Sequence, residues 1–129
     1  MRRAYFDTSA IVKLSHVEPY SQSVIDYLEQ GAVNVSTSVV AEIEVSRALR
    51  RAGAETDQAV TGFFLVALDE EVRREAARVG APALRSLDAI HLATALAIGD
   101  RDLEFVTYDD RQAEAARAAG LKVIQPGRT

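Results

Sequence analysis

A chain of 129 residues with 48% hydrophobic and 26% charged residues has the size of one ordinary domain and enough apolar side chains for a proper core, so residues 1–129 are expected to form a single domain. Its formal net charge of -4 argues against a generally basic nucleic-acid-binding surface, and the absence of cysteine excludes both a disulfide framework and a thiolate zinc site. Only His16 and His91 remain as nitrogen ligands, so a metal has to be held mainly by oxygen.

After a basic Met1-Arg2-Arg3, the run Ala4-Tyr5-Phe6 is apolar and β-favouring, and it stops abruptly at Asp7. Asp7 interrupts this run before it could act as a secretory core, and Phe63 to Leu68 is far too short to cross a bilayer. The protein therefore reads as soluble, cytoplasmic and without a membrane partner. Thr8 and Ser9 lead from Asp7 into a short helix, Ala10 to Ser15. Pro19 precedes a second helix whose Val24, Ile25 and Leu28 share one face, and Gly31 stops it. Val33 to Ser36 alternates as a strand does, and Ser38 caps a helix from Val39 to Ala52, closed by Gly53. Glu42 falls in that helix's first turn. It stands one residue too late for a capping box with Ser38, which removes the simplest structural reason for it.

Glu55 to Phe64 is ambiguous between a short helix and a loop, because Thr61-Gly62 breaks the pattern. Leu65 to Leu68 reads as a buried strand, and Asp69 caps a helix carrying Val72, Ala76 and Val79 on one face before Gly80 and the break at Pro82. Ser86 to Leu96 is strongly helical, with Ser86 as its cap and Asp88 in its first turn. Leu103 to Thr107 is a strand ended by Asp109-Asp110, Arg111 to Ala119 a helix stopped by Gly120, and Leu121 to Ile124 a final strand. Strands separated by helices imply an α/β sandwich, with a mostly parallel sheet covered on both faces.

Within that frame Asp7 follows the first strand, Glu42 enters the helix after the second, Asp88 opens the helix before the fourth, and Asp109 follows the fourth. Such positions can meet at the sheet edge where the strand order reverses, the place where open α/β sheets bind ligands. Setting these acids aside leaves 15 acidic against 15 basic residues, so the excess acidity could belong to one site. Converging carboxylates repel one another unless divalent cations sit among them, and an all-oxygen set suits magnesium or manganese. Metal pairs held in this way support phosphodiester hydrolysis.

The blocks Asp7-Thr8-Ser9-Ala10-Ile11-Val12-Lys13-Leu14, Glu42 with Val45 and Leu49 behind it, Leu87-Asp88-Ala89-Ile90-His91-Leu92-Ala93 and Val106-Thr107-Tyr108-Asp109 run in order along nearly the whole chain. In this the sequence resembles the PIN-domain nucleases, in particular the VapC toxins of bacterial toxin–antitoxin pairs. The resemblance implies a PIN-like three-layer α/β/α sandwich and a magnesium- or manganese-dependent endoribonuclease, commonly a homodimer, acting on RNA and inhibited by a cognate VapB-like antitoxin. Family roles carry over to Asp7, Glu42, Asp88 and Asp109, with Asp7 and Asp88 as direct metal ligands. Asp109 is placed ahead of its neighbour Asp110 by the Thr107-Tyr108-Asp109 match.

Thr8, Ser9 and Thr107 are expected either to hydrogen-bond the acids or to serve as caps and strand ends. Arg85 and Arg111 flank Asp88 and Asp109 and are the arginines best placed to meet RNA phosphates. His91, one turn beyond Asp88, reads as a hydrogen-bonded helix histidine, and Tyr5, Phe6 and Phe105 as core. Two rivals remain: a catalytically silent PIN-like module that binds RNA or protein, and a phospho-acceptor receiver domain, which Lys122, lying before Val123-Ile124, fits only loosely.

Overall fold

The computed structural model describes residues 2–128; Met1 and Thr129, the ends of the expected 1–129 unit, lie outside the described residues. Five strands, β1 (Arg2–Phe6), β2 (Val33–Ser38), β3 (Phe64–Val66), β4 (Glu104–Val106) and β5 (Lys122–Ile124), form one sheet in the order β3-β2-β1-β4-β5. Every pairing is parallel, with Tyr5 opposite Ser36 on one side and Phe105 on the other. The chain builds outward from β1 through β2 to β3, then returns to lay β4 against the free side of β1. The strand order therefore reverses between β1 and β4.

Six helices cover the sheet: α1 (Thr8–Ser15), α2 (Ser21–Glu29), α3 (Val39–Arg51), α4 (Glu70–Ala76), α5 (Ser86–Ile98) and α6 (Asp110–Ala118). Side chains alternate across a strand, so β1 sends Ala4 and Phe6 to one face and Tyr5 to the other. Ala4 and Phe6 pack with Ile11, Val24, Val45 and Leu49 from α1, α2 and α3. Tyr5 packs with Leu92, Ala95, Phe105 and Ala116, from α5, β4 and α6. This is the three-layer α/β/α sandwich with a parallel central sheet, and burying β1 on both faces leaves its carboxyl end as the fixed point of the molecule.

Some local expectations are corrected. The third strand begins at Phe64 rather than Leu65 and lies on the sheet edge with Phe64 72% exposed, so it is not the buried strand that its apolar run suggests. Of the Glu55–Phe64 stretch, residues 57–62 form turns, Phe64 already belongs to β3, and no helix is present. Ser86 is the first residue of α5 rather than its cap; Arg85 holds the cap position with extended backbone and no capping side chain. Ser38 and Asp69 do cap α3 and α4, and Asp109, expected only to end the fourth strand, caps α6.

Candidate active site

Asp7 ends β1 at the point of strand reversal, and its backbone N–H donates to the Val106 carbonyl at 3.2 Å, tying the ends of β1 and β4 together. Its side chain caps α1: Oδ1 accepts from the Ala10 N–H at 3.2 Å and from the Ser9 hydroxyl at 2.6 Å, while Oδ2 accepts from the Thr107 hydroxyl at 2.5 Å. Helix cap and site acid are therefore compatible roles for Asp7, because one residue at the strand end reaches both. The Tyr108 N–H donates to Ser9 Oγ at 2.9 Å, so the loop after β4 is locked onto the start of α1. Burial pushes the Asp7 carboxyl up, against the charge of His91 and the hydrogen bonds from Ser9 and Thr107.

Asp88 lies half-buried in the first turn of α5, and burial followed by the negative charge of Asp109 pushes its carboxyl up, with His91 and Arg85 in partial opposition. Asp109 caps α6 through the Arg111 and Gln112 N–H groups at 2.9 and 3.2 Å, and its own N–H donates to Thr107 Oγ1 at 3.1 Å. The buried Gln112 then donates through Nε2 to the Asp88 carbonyl at 3.1 Å, joining α6 to α5. Asp109 and Asp110 are both exposed, but Asp110 is paired with Arg128 at 2.8 Å. Arg85 stands within electrostatic reach of Asp88, whereas Arg111 lines an apolar groove with Leu84, Leu96 and Ala115.

Glu42 is not part of this network. It is exposed on α3 and, among the described residues, makes no side-chain hydrogen bond or ion pair. The acid that α3 does send inward is Glu44, whose Oε1 accepts from the Thr8 hydroxyl at 2.9 Å and from His91 Nε2 at 2.8 Å. Burial pushes the Glu44 carboxyl up, but the His91 and Thr8 hydrogen bonds outweigh it and leave it below its ordinary value. The same carboxylate also raises Asp88, which places the two acids in one electrostatic neighbourhood. Sequence reasoning missed Glu44 because it took a first-turn position as the mark of a site acid. At roughly 100° per residue, Glu42 and Glu44 flank the buried Ala41-Val45-Leu49 stripe on opposite sides, and only the packing of α3 against α1 decides which side meets the site.

His91 is a buried, hydrogen-bonded helix histidine. Its Nε2 is hydrogen-bonded to Glu44 Oε1 at 2.8 Å, with the carboxylate as acceptor, and its Nδ1 is hydrogen-bonded to the Tyr5 hydroxyl at 2.6 Å. Both ring nitrogens are occupied, so the donors that remain free at this edge are oxygens. That set suits a hard divalent cation. Among the described residues, however, no three His, Asp or Glu side chains converge as a closed cation site. Lys122 lines a cavity at the other end of the strands with Arg2, Asp100 and Glu104, where a receiver's lysine could not serve Asp7.

Residues 4–118 match the PIN domain family. The chain is 42% identical to Ribonuclease VapC35 of Mycobacterium tuberculosis over 130 residues, covering 95% of this chain and 96% of that protein. Its backbone superposes on the Mycobacterium tuberculosis toxin VapC20, described as cleaving the sarcin–ricin loop, with a TM-score of 0.75 at 17% identity over 95% of this chain and 99% of the other. A toxin–antitoxin complex from Klebsiella pneumoniae superposes with a TM-score of 0.69 at 23% identity, covering 98% and 99% of the two chains. The reversal-point acids, the parallel five-stranded sheet and this degree of identity lead to one assignment: the chain belongs to the PIN-domain family, alongside its VapC relatives.

Proposed function

We propose that this protein is the toxin of a VapBC-like pair, an endoribonuclease that hydrolyses RNA phosphodiesters with magnesium or manganese held by Asp7, Asp88, Glu44 and Asp109. The observation that carries the reading is that Asp7 after β1, Asp109 after β4, Glu44 on α3 and Asp88 in the first turn of α5 lie along the sheet's reversal edge, where Asp88 feels the charges of both Asp109 and Glu44. The family membership and the ribonuclease name of a 42% identical relative support it.

A bound divalent cation supplies charge neutralisation at the phosphate and lowers the cost of attack by water. The chain's own residues do the positioning. Ser9, Thr107 and the Ala10 N–H fix both oxygens of Asp7, so its remaining lone pairs face the ligand in one orientation. Thr8 and His91 fix Oε1 of Glu44 and leave Oε2 free. Arg85, exposed beside Asp88, meets an RNA phosphate that the acids alone would repel.

The cellular setting belongs to the same reading: a cytoplasmic protein, homodimeric, held in check by a cognate antitoxin. Among the described residues no helix is long and apolar enough to cross a membrane. The test is incubation of purified protein with single-stranded RNA. Cleavage is expected with magnesium or manganese and not with a chelator, nor in Asp7→Asn or Asp88→Asn protein. Cleavage that ignores the chelator and both substitutions would overturn the metal site, and absence of any cleavage would favour the silent binding module.

A further inference from the structure

Tyr20 has a φ of +73°, the sole non-glycine residue among those described with a left-handed backbone. Asparagine or glycine adopts that conformation at less cost, and strain of this sort tends to persist where a side chain is needed in one place. The Tyr20 ring lies flat on Tyr108, centroids 5.6 Å apart and planes 8° apart. Tyr108 is fixed at both ends, its N–H on Ser9 Oγ and its hydroxyl on the Pro126 carbonyl. The Lys13 ammonium sits 4.7 Å from the Tyr108 centroid, paired with Glu18. Tyr20 itself is 41% exposed.

This stack adjoins the acids through the chain itself. Tyr108 stands between Thr107, which bonds Asp7, and Asp109, and it shares Ser9 with Asp7. The tyrosine stack and the acids therefore share one edge of the sheet. The Arg128 guanidinium, paired with Asp110, donates to the Tyr108 carbonyl at 3.5 Å and holds the loop beneath the stack. We propose that the exposed Tyr20 ring, backed by Tyr108, is a stacking platform for an unpaired base of the RNA substrate, one nucleotide or so from the cleaved phosphate. Every base has a π-face, so such a platform demands a single-stranded nucleotide without reading its identity.

The proposal rests on the RNA-hydrolysing reading above, and the test keeps the two apart. Wild-type protein is first shown to cleave a short single-stranded RNA with magnesium; failure there is failure of the function, not of the platform. Affinity for a fluorescein-labelled copy of that RNA is then measured by anisotropy in a non-cleaving Asp88→Asn background. Tyr20→Gly, which relieves the backbone while removing the ring, is expected to weaken binding roughly five- to a hundredfold with an unchanged melting curve, and Tyr20→Phe to bind as before. Moving an abasic nucleotide along the RNA should reveal one position at which wild-type and Tyr20→Gly chains bind equally, a readout that a purely structural tyrosine would not produce. Unchanged affinity in Tyr20→Gly, equal loss in Tyr20→Phe, or loss of antitoxin binding with RNA binding intact would each overturn the platform.

Discussion

Glu44 and Glu42 offer the sharpest perturbation, because they lie two residues apart on α3 and the structure gives them opposite fates. In Glu44→Ala the His91 Nε2–H, on a side chain 4% exposed, loses its 2.8 Å acceptor and keeps only the Thr8 hydroxyl oxygen 3.4 Å away. A buried donor left without a partner costs about 1–3 kcal/mol, and so long a contact recovers only part of that. The Thr8 hydroxyl is only half-buried and can turn to water, so it adds little. For a chain of this size that loss lowers the Tm by roughly 5–10 °C. Cleavage should fall by about a hundredfold or more, since even residues that merely support a metal ligand cost up to that much. Glu44→Gln separates the two effects: its amide carbonyl still accepts from His91 and preserves most of the stability, while the lost charge still removes activity. Glu42→Ala, exposed and unpartnered, should change stability by less than about 0.5 kcal/mol and leave cleavage intact. Thermal melts in parallel with a fluorogenic RNA assay measure both quantities. An inactive Glu42→Ala beside an active Glu44→Ala would refute this account of α3.

Further outcomes follow from the same geometry. Asp109→Asn should cost far more cleavage than Asp110→Asn, because Asp109 faces Asp88 while Asp110 is paired with Arg128; equal losses in single-turnover assays would show that the two acids share the role. Asp7 and Asp88 have carboxyls raised in the folded state, so between the ordinary carboxyl range and those raised values the folded chain binds more protons than the unfolded one, and metal-free stability rises as pH falls through that window. Glu44 and Glu104 are lowered, and what they contribute is lost only at pH below the ordinary glutamate range. Denaturant titration in chelator, with pH lowered from neutrality toward the ordinary carboxyl range, should therefore show a gain that shrinks in Asp88→Asn; a loss of stability on that path would contradict the assignment. A cluster of carboxylates is a bidentate seat for an arginine delivered by an antitoxin, so antitoxin affinity, measured by calorimetry at constant ionic strength, should fall as magnesium rises and the ion competes for Asp7 and Asp88. Affinity indifferent to magnesium would mean that inhibition works by covering the RNA path.

The sequence carried the layer architecture because strand and helix periodicities alternate cleanly around Asp7, and glycines and capping residues mark most element ends. It misjudged β3, since a run of apolar residues looks the same in a buried strand and on a sheet edge whose face is partly open. It placed the cap of α5 one residue late, because Ser86 has the chemistry of a cap while the backbone turns at Arg85. The placing of Asp7 at a strand end and of Asp88 at a helix start was legible in the sequence. Which acid α3 turns inward was not, because that depends on the flank of α3 that meets Thr8 and His91, a three-dimensional fact. The Tyr5–His91–Glu44 relay was half visible: His91 was recognised as hydrogen-bonded, but its partners lie 86 and 47 residues away.

The central claim, that these acids serve RNA hydrolysis by water, is tested most directly by the ends of the products. RNA cleaved by wild-type protein with magnesium in ¹⁸O-labelled water should yield fragments with 5′-phosphates carrying the heavy oxygen and 3′-hydroxyl ends, read by mass spectrometry, because attack by water displaces the 3′ oxygen. Fragments ending in 2′,3′-cyclic phosphate without label would mean that the ribose 2′-hydroxyl is the nucleophile, and would contradict the account.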